Sequence, residues 1–350
     1  MVKRAAFAVP GSLETPTGGY AYDKRIIAEL ERLGWQLRLV DIGTGFPWPS
    51  GEIRSNTRAL LVEVPTGWPI VVDGLALGVL PEAASELASR NPLLALVHHP
   101  LALEWGLSSD QADILHRSEQ AALASVKGVI VTSPATARIV ASDYDVPADR
   151  ITVARPGNDP VPQARGSRSN VPHLLSVGAV VPRKGFDVLV RALAALADVR
   201  WRLTIAGDLT RDPAAAARLH ADIEHYGLTD RISALGAVSS ERLAALYDSA
   251  DLFVLASYFE GYGMAYAEAL AHGLPVIGTK AGAIPDTVPD EAGLLVAAGD
   301  AAALAEALRR AIADAGLRSR LSEGARAAAR QLPTWSQSAA IFAGALERLT

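Results

Sequence analysis

Short runs of consecutive apolar residues, each closed by a turn and followed by a helix-like stretch, recur along the whole of this chain. Residues 93–97 read Leu-Leu-Ala-Leu-Val, 128–131 Gly-Val-Ile-Val and 252–255 Leu-Phe-Val-Leu. Runs this short, apolar throughout and without alternation, suit strands buried on both faces, the condition of a parallel sheet covered by helices. Helical spacing fills the gaps: Ile26, Ile27, Leu30 and Leu33 follow the helix period before Gly34 stops them. The alternation predicts an α/β chain of doubly wound parallel sheets. At 350 residues the chain is longer than one hydrophobic core spans in most domains, so two such units are expected.

The alternation breaks once. Residues 155–170, RPGNDPVPQARGSRSN, are rich in Pro, Gly and polar side chains and carry no period, so a linker is placed at 156–171. That division gives an N-terminal Rossmann-like domain over 1–155, a C-terminal one over 172–332 and a terminal helix over 333–350, which opens with Pro-Thr-Trp. A ligand cleft between the two domains is the expectation for such a tandem. Residues 10–23, 42–50 and 280–289 read as loops, and 143–145, Asp-Tyr-Asp, as a surface turn.

Composition removes several classes of function. A net charge of -5 speaks against a nucleic-acid-binding surface. With no cysteine there are no disulfides, no thiolate metal sites and no cysteine nucleophile. No stretch approaches the roughly 18 consecutive apolar residues of a membrane span, and the first apolar run after Lys3-Arg4 reads as a strand rather than a signal segment. A cytoplasmic protein is expected, with peripheral contact at the inner membrane face left open, since the first domain shows no basic amphipathic helix to decide it.

Chemistry-bearing residues gather at strand-to-helix junctions of the second domain. Gly178 to Gly185, GAVVPRKG, sets Arg183 and Lys184 beside a helix start, where two fixed cations and unpaired backbone N–H groups suit a phosphate. The spacing is not that of a Walker A loop, and an Arg-Lys pair alone is more often a solvated turn. Gly207-Asp208 follows another strand and serves equally as a plain turn or a ligand-facing loop. The third junction is EGYGMAYAEALAHGLPVIGT, from Glu260 to Thr279. Gly261 and Gly263 let main-chain N–H groups approach a ligand, and Glu260 and Glu268 are each able to take two hydrogen bonds from vicinal hydroxyls. Taken singly, Glu268 reads as an exposed helix residue and Glu260 as a helix-dipole partner.

Together the three junctions resemble the GT4 family of retaining glycosyltransferases, which have the GT-B fold: two Rossmann-like doubly wound parallel-sheet domains facing each other across a cleft. The resemblance rests on GAVVPRKG and on the Glu260-x7-Glu268 segment with its Gly-Leu-Pro-Val-Ile ending, supported by Ala-Gly-Asp at 206–208, Leu-Gly-Ala-Val-Ser at 235–239 and Pro-Gly-Asn-Asp at 156–159. It covers nearly all of the second domain. The resemblance implies a hexosyltransferase using a nucleotide-diphosphate sugar as co-substrate, with no cofactor and no metal. Arg183 and Lys184 would hold the diphosphate, Glu268 the ribose, and Glu260 the transferred sugar, with the backbone of Gly261, Tyr262, Gly263, Met264 and Ala265 assisting. Gly178 and Asp208 would also line the donor site, and Val238 would lie near the base. In the first domain Gly18 and Gly19 match the family's glycine loop and His98 the position of a histidine near the sugar. His98, Glu260, Arg183 and Lys184 make up the catalytic set. His98-His99-Pro100 has two histidines where one is usual, so either could face inward. Tyr22, His99 and Trp105 are candidates for the acceptor side, and Tyr20, Asp23 and Trp48 read as lining or as packing. The acceptor would be a carbohydrate, a lipid-linked group or a small molecule. In that layout the terminal helix returns to the first domain, with Trp335 as its anchor. Two further readings stay open: a sugar-nucleotide 2-epimerase of the same layout, and a non-catalytic nucleotide-sugar-binding subunit.

Overall fold

A computed structural model describes residues 3–15 and 17–349. The contacts divide the chain into two units, Met1–Gly157 with Pro333–Thr350, and Asn158–Leu332.

The first unit begins β1 (Arg4–Val9), α1 (Gly18–Arg32), β2 (Gln36–Asp41), α2 (Gly51–Val62), β3 (Ile70–Asp73) and α3 (Gly74–Leu77). It continues with α4 (Pro81–Ala88), β4 (Leu93–Val97), α5 (Ser109–Ala124), β5 (Gly128–Val131), α6 (Pro134–Asp143) and β6 (Ile151–Val153). The second unit comprises β7 (His173–Val177), α7 (Phe186–Ala194), β8 (Arg202–Ala206), α8 (Pro213–His225), β9 (Ile232–Ala234), α9 (Ser240–Ser249) and β10 (Leu252–Val254). After these come α10 (Met264–Ala271), β11 (Val276–Thr279), α11 (Ile284–Thr287), β12 (Gly293–Val296), α12 (Ala301–Ala313) and α13 (Ala315–Ala329). The last helix, α14 (Trp335–Glu347), is counted with the first unit.

Each unit is built on a six-stranded sheet, ordered β2-β1-β3-β4-β5-β6 in the first and β12-β11-β10-β7-β8-β9 in the second, with every strand pair parallel. The strands that read as continuous apolar runs, β3, β4, β5, β10 and β11, are buried at every position, whereas the edge strand β2 is mostly exposed. Helices on both faces supply that burial, and two Rossmann-like units of this kind are the GT-B fold expected from sequence. The order reverses between β1 and β3 in one sheet and between β7 and β10 in the other. At such a point neighbouring loops leave in opposite directions and open a crevice at the carboxyl ends of the strands.

The structure corrects several local readings. Gly18 and Gly19 are not in a loop but open α1, because the Thr17 hydroxyl accepts from the Tyr20 N–H and caps the helix. Residues 51–62, for which no element was expected, form α2 behind the Ser50 cap, and the loop at 280–289 contains the short α11. Tyr144 is buried beside Glu119 rather than standing in a surface turn. Within the first unit, α14 stacks Phe342 on Phe7 at 6.1 Å and sets Trp335 against Tyr22 at 6.0 Å, with the Arg25 guanidinium 5.0 Å from the indole. Among the described residues, no helix is long and apolar enough to cross a membrane.

Candidate functional site

In the second unit the reversal point sets the loop after β7 beside the loop after β10. The first contains a 3-10 turn, Pro182–Lys184, ended by Gly185 at φ 63°. A Cβ on Gly185 would stand 2.1 Å from the Ala256 carbonyl oxygen, so only glycine lets the two loops come this close. The Tyr258 N–H donates to the Arg183 carbonyl at 2.8 Å and ties them further.

That approach brings three charges together. Lys184 Nζ donates to Glu260 Oε1 at 2.7 Å, and Arg183 Nη1 donates to Glu260 Oε2 at 3.3 Å and to the Phe259 carbonyl at 2.7 Å. The Ser257 hydroxyl donates to Oε1 as well, at 2.6 Å. Burial by itself would raise the Glu260 carboxyl, but the charges of Lys184 and Arg183 and the hydrogen bonds from Lys184 and Ser257 outweigh it and bring it down to about 2. Glu260 is therefore a fixed anion holding two fixed cations. Ser257 carried no signal of its own in the sequence beyond standing three residues before Glu260.

Around this cluster lie the other residues expected to meet the donor. Gly178 borders the Lys184 stem, a Cβ there standing 3.3 Å from Lys184 Cε, and its carbonyl is crossed by Gly207. The Asp208 carboxylate is turned onto its own loop, accepting from the N–H and the hydroxyl of Thr210 at 2.7 Å each, and those bonds hold it below the usual range. Val238 is half-buried against the core of the unit in the loop after β9. Gly261 and Tyr262 lead to Gly263, at φ 88°, which caps α10 without a side-chain hydrogen bond, so Met264 and Ala265 present first-turn amides. Glu268, half-buried on α10, accepts from the Tyr247 hydroxyl at 2.9 Å. Burial raises its carboxyl, opposed by that bond and by the charge of Lys184. Tyr247 itself lies flat on His272, ring centres 4.6 Å apart. Nothing in the sequence singles out Tyr247, since the contact joins two successive helices with a strand and a loop between them.

The first unit has its own cluster at the β1–β3 reversal. His98, just after β4, turns Nε2 to Asp23 Oδ1 at 3.1 Å and lies 3.8 Å from Asp73 Oδ2. Asp23 is on the second turn of α1 and Asp73 is the last residue of β3, and both are buried. The ring is fitted against Gly19, where a Cβ would stand 3.4 Å from His98 Cδ2, and against the edge of Tyr22 at 5.4 Å. Gly18 is the first residue of the same turn. Burial would lower the His98 ring, but the charge and hydrogen bond of Asp23 and the charge of Asp73 lift it to about 9. Burial and the charge of Asp23 raise the Asp73 carboxyl to about 7 against the pull of His98. Among the described residues, these three are the one group whose ligand atoms lie close enough to share a cation, all within 4.8 Å of one another. Asp73 closes an all-apolar strand, and that was the one signal that could have drawn notice to it.

His99 points elsewhere, its Nε2 at 3.3 Å from Glu104 Oε2. Trp105 and Trp48 are about half exposed and Tyr20 donates its hydroxyl to the Pro10 carbonyl. Tyr22 is corrected from an acceptor-side candidate to a packing residue: it is 1% exposed and its hydroxyl donates to the Ala154 carbonyl at 2.9 Å.

Known proteins resemble this chain in sequence and in fold. The profile of the family Glycosyl transferases group 1 matches residues 159–328. A D-inositol 3-phosphate glycosyltransferase of Xylanimonas cellulosilytica is 33% identical over 251 residues, 66% of this chain and 60% of that protein. One of the same name from an Arthrobacter species is 32% identical over 254 residues, 67% of this chain and 59% of its own length. The chain thus spans about three fifths of the length of these two relatives. Among solved structures, sucrose-phosphate synthase of Thermosynechococcus elongatus superposes with a TM-score of 0.83 at 23% identity, covering 99% of both chains. HepE of Anabaena, bound to UDP and glucose, superposes at 0.78 with 20% identity, covering 98% of this chain and 99% of its own.

Proposed function

Because residues 159–328 belong to the group 1 glycosyl transferases, we propose that this chain moves a glycosyl group from a nucleotide-diphosphate sugar to an acceptor hydroxyl with retention of anomeric configuration. The observation that carries the reading is the Lys184–Glu260–Arg183 cluster at the β7–β10 reversal, with Glu268 on α10, the helix that follows Glu260. In the reaction the bond between the sugar C1 and the phosphate oxygen breaks, and the acceptor oxygen bonds to C1 on the same face. The acceptor proton passes to the departing phosphate oxygen.

Charge builds on the diphosphate as it leaves, and cations fixed before the reaction stabilise it at no cost of reorganisation. Lys184 and Arg183 supply that charge, with the first-turn amides of Met264 and Ala265 beside them. No metal ion is needed in this scheme. Glu260 already serves both cations and Ser257, so its task is to hold them and to accept from a sugar hydroxyl, not to attack C1. Glu268 takes the ribose hydroxyls. In the first unit His98 meets a substrate oxygen.

Structures of HepE contain UDP and UDP-glucose, so UDP-sugars are the first donors to try. The relatives' name makes D-inositol 3-phosphate the first acceptor, ahead of glycans and lipid-linked acceptors, and it favours transfer over epimerisation. The test is incubation of the full chain, with and without EDTA, with UDP-, GDP- and ADP-sugars and these acceptors. Proton NMR then reads the anomeric coupling of the product. An EDTA-insensitive product with the donor's configuration is expected. Inverted product, epimerised nucleotide-sugar without acceptor, or donor binding with no transfer to any acceptor would overturn the reading.

A further inference from the structure

We infer that Asp23 and Asp73 are positioning residues which hold His98 as an imidazolium with its Nε2–H turned inward, leaving Nδ1–H as a charged donor for a substrate oxygen. The inference rests on the proposed function only for what Nδ1–H meets; the state of the ring stands on the geometry alone.

Four observations carry it. First, Nε2 lies between two carboxylates, 3.1 Å from Asp23 Oδ1 and 3.8 Å from Asp73 Oδ2. A neutral ring with Nε2 unprotonated would set a lone pair against both oxygens. Nε2 must therefore carry the proton, which leaves Nδ1 to distinguish a neutral ring from a charged one. Second, the structure gives Nδ1 no hydrogen bond to a described residue, while the side chain keeps 22% of its surface exposed. Third, Asp23 Oδ2 is fully buried with no hydrogen-bond partner, and the cluster's ligand atoms all lie within 4.8 Å of one another. Two carboxylates this close repel one another, and an imidazolium beside them offsets that repulsion. Fourth, the ring has no other place to go: Gly19 and Tyr22 close on its sides.

The titratable groups facing the ring are Asp23 and Tyr22 from α1 and Asp73 from the end of β3. Burial and the Asp23 charge push the Tyr22 phenol well up, so it stays neutral. The charge on His98 is set by the two carboxylates, and the raised values of His98 and Asp73 agree with that. The positive charge then persists through neutral pH, where an ordinary histidine is mostly neutral.

The experiment is NMR titration of the imidazole nitrogens in the full chain, with His98 assigned by loss of its signals in His98→Gln. The wild-type ring should remain protonated at both nitrogens well above pH 7. Asp73→Asn and Asp23→Asn should each lower its midpoint by about one pH unit or more, a tenfold or larger change in the proton's affinity. Asp73→Asn keeps an oxygen to accept from the Leu75 N–H, a bond of 2.7 Å here, so it retains the α3 cap if Asp23→Asn fails to fold. Where transfer is measurable, the alkaline limb of kcat/KM should move to lower pH in the same variants, with rates at pH 6 changed far less. A purely structural role would lower rates at all pH values and leave the limb in place. A neutral wild-type ring at pH 7, a midpoint unmoved by both variants, or His98 signals broadened by stoichiometric Mn2+ and restored by EDTA would each overturn the inference. Absence of transfer in the wild type would sink the proposed function and leave the NMR result to stand by itself.

Discussion

Lys184 Nζ is 2.7 Å from Glu260 Oε1, and both side chains are largely buried at the reversal point of the second sheet. In the proposed reaction this lysine is in place before a diphosphate arrives, and its stem runs along Gly178. Lys184→Ala should lower kcat by about 10²–10³-fold, the range for removing one preorganised donor from a developing oxyanion. Arg183 and Ser257 still bond Glu260 in that variant, so circular dichroism and thermal unfolding should change little. Steady-state kinetics decide it, and near-normal turnover would remove Lys184 from the leaving-group role.

The Tyr247 hydroxyl fixes one oxygen of Glu268, the carboxylate proposed to take the ribose hydroxyls. Tyr247→Phe keeps the ring stacked on His272 and removes only that bond. A hydrogen bond to a charged group contributes about 1.5–3 kcal/mol, so the donor KM should rise by roughly tenfold or more with kcat almost unchanged. A fall in kcat at constant KM would place Tyr247 in the chemical step instead.

These two pairs mark where the sequence is legible and where it stops. The buried strands were readable because parallel sheets leave no polar position on either face, and Glu260, Arg183 and Lys184 because they stand at strand ends. α2 was not readable: only Thr57 and Leu61 of its twelve residues are buried, so almost no apolar period marks it. Gly18 and Gly19 argued for a loop, yet the Thr17 cap and the packing of His98 against Gly19 override their weak helix propensity. Asp23, Asp73 and His98 are separated along the chain and meet only because β1, β3 and β4 are neighbours in the sheet.

Glu119 gives the first unit a pH dependence with a definite sign. Its Oε2 accepts from the Leu101 N–H at 2.9 Å, which anchors the turn following His98-His99-Pro100. Burial pushes its carboxyl from the ordinary 4.5 up to about 8, against the opposing hydrogen bond of the Leu101 N–H. Because the folded value is the higher, this group's contribution is fully present below pH 4.5 and is lost as pH rises through 8. Between those values the folded chain holds a proton that the unfolded chain has released, so stability falls by at most about 1.4 kcal/mol per pH unit. Urea unfolding of wild type and Glu119→Gln at pH 5, 6.5 and 8 should show their difference changing in that direction. A difference independent of pH would mean that Glu119 is ionised throughout.

Gly185 and Gly34 separate the cost of a backbone conformation from the cost of a clash. Both have positive φ, 63° and 86°, but a Cβ on Gly34 meets nothing within 4 Å, whereas one on Gly185 meets the Ala256 carbonyl oxygen at 2.1 Å. Gly34→Ala should therefore lose only the left-handed penalty of about 1–2 kcal/mol. Gly185→Ala must pay that and also push the turn Pro182–Lys184 away from the β10 loop, breaking the register in which Tyr258 bonds the Arg183 carbonyl. Its unfolding free energy should fall further than that of Gly34→Ala. Titration calorimetry should show donor binding weakened in Gly185→Ala alone, because the displaced turn carries both cations. Equal losses of stability with donor binding intact in both variants would show that the close approach of the two loops is not what sets Arg183 and Lys184 in place.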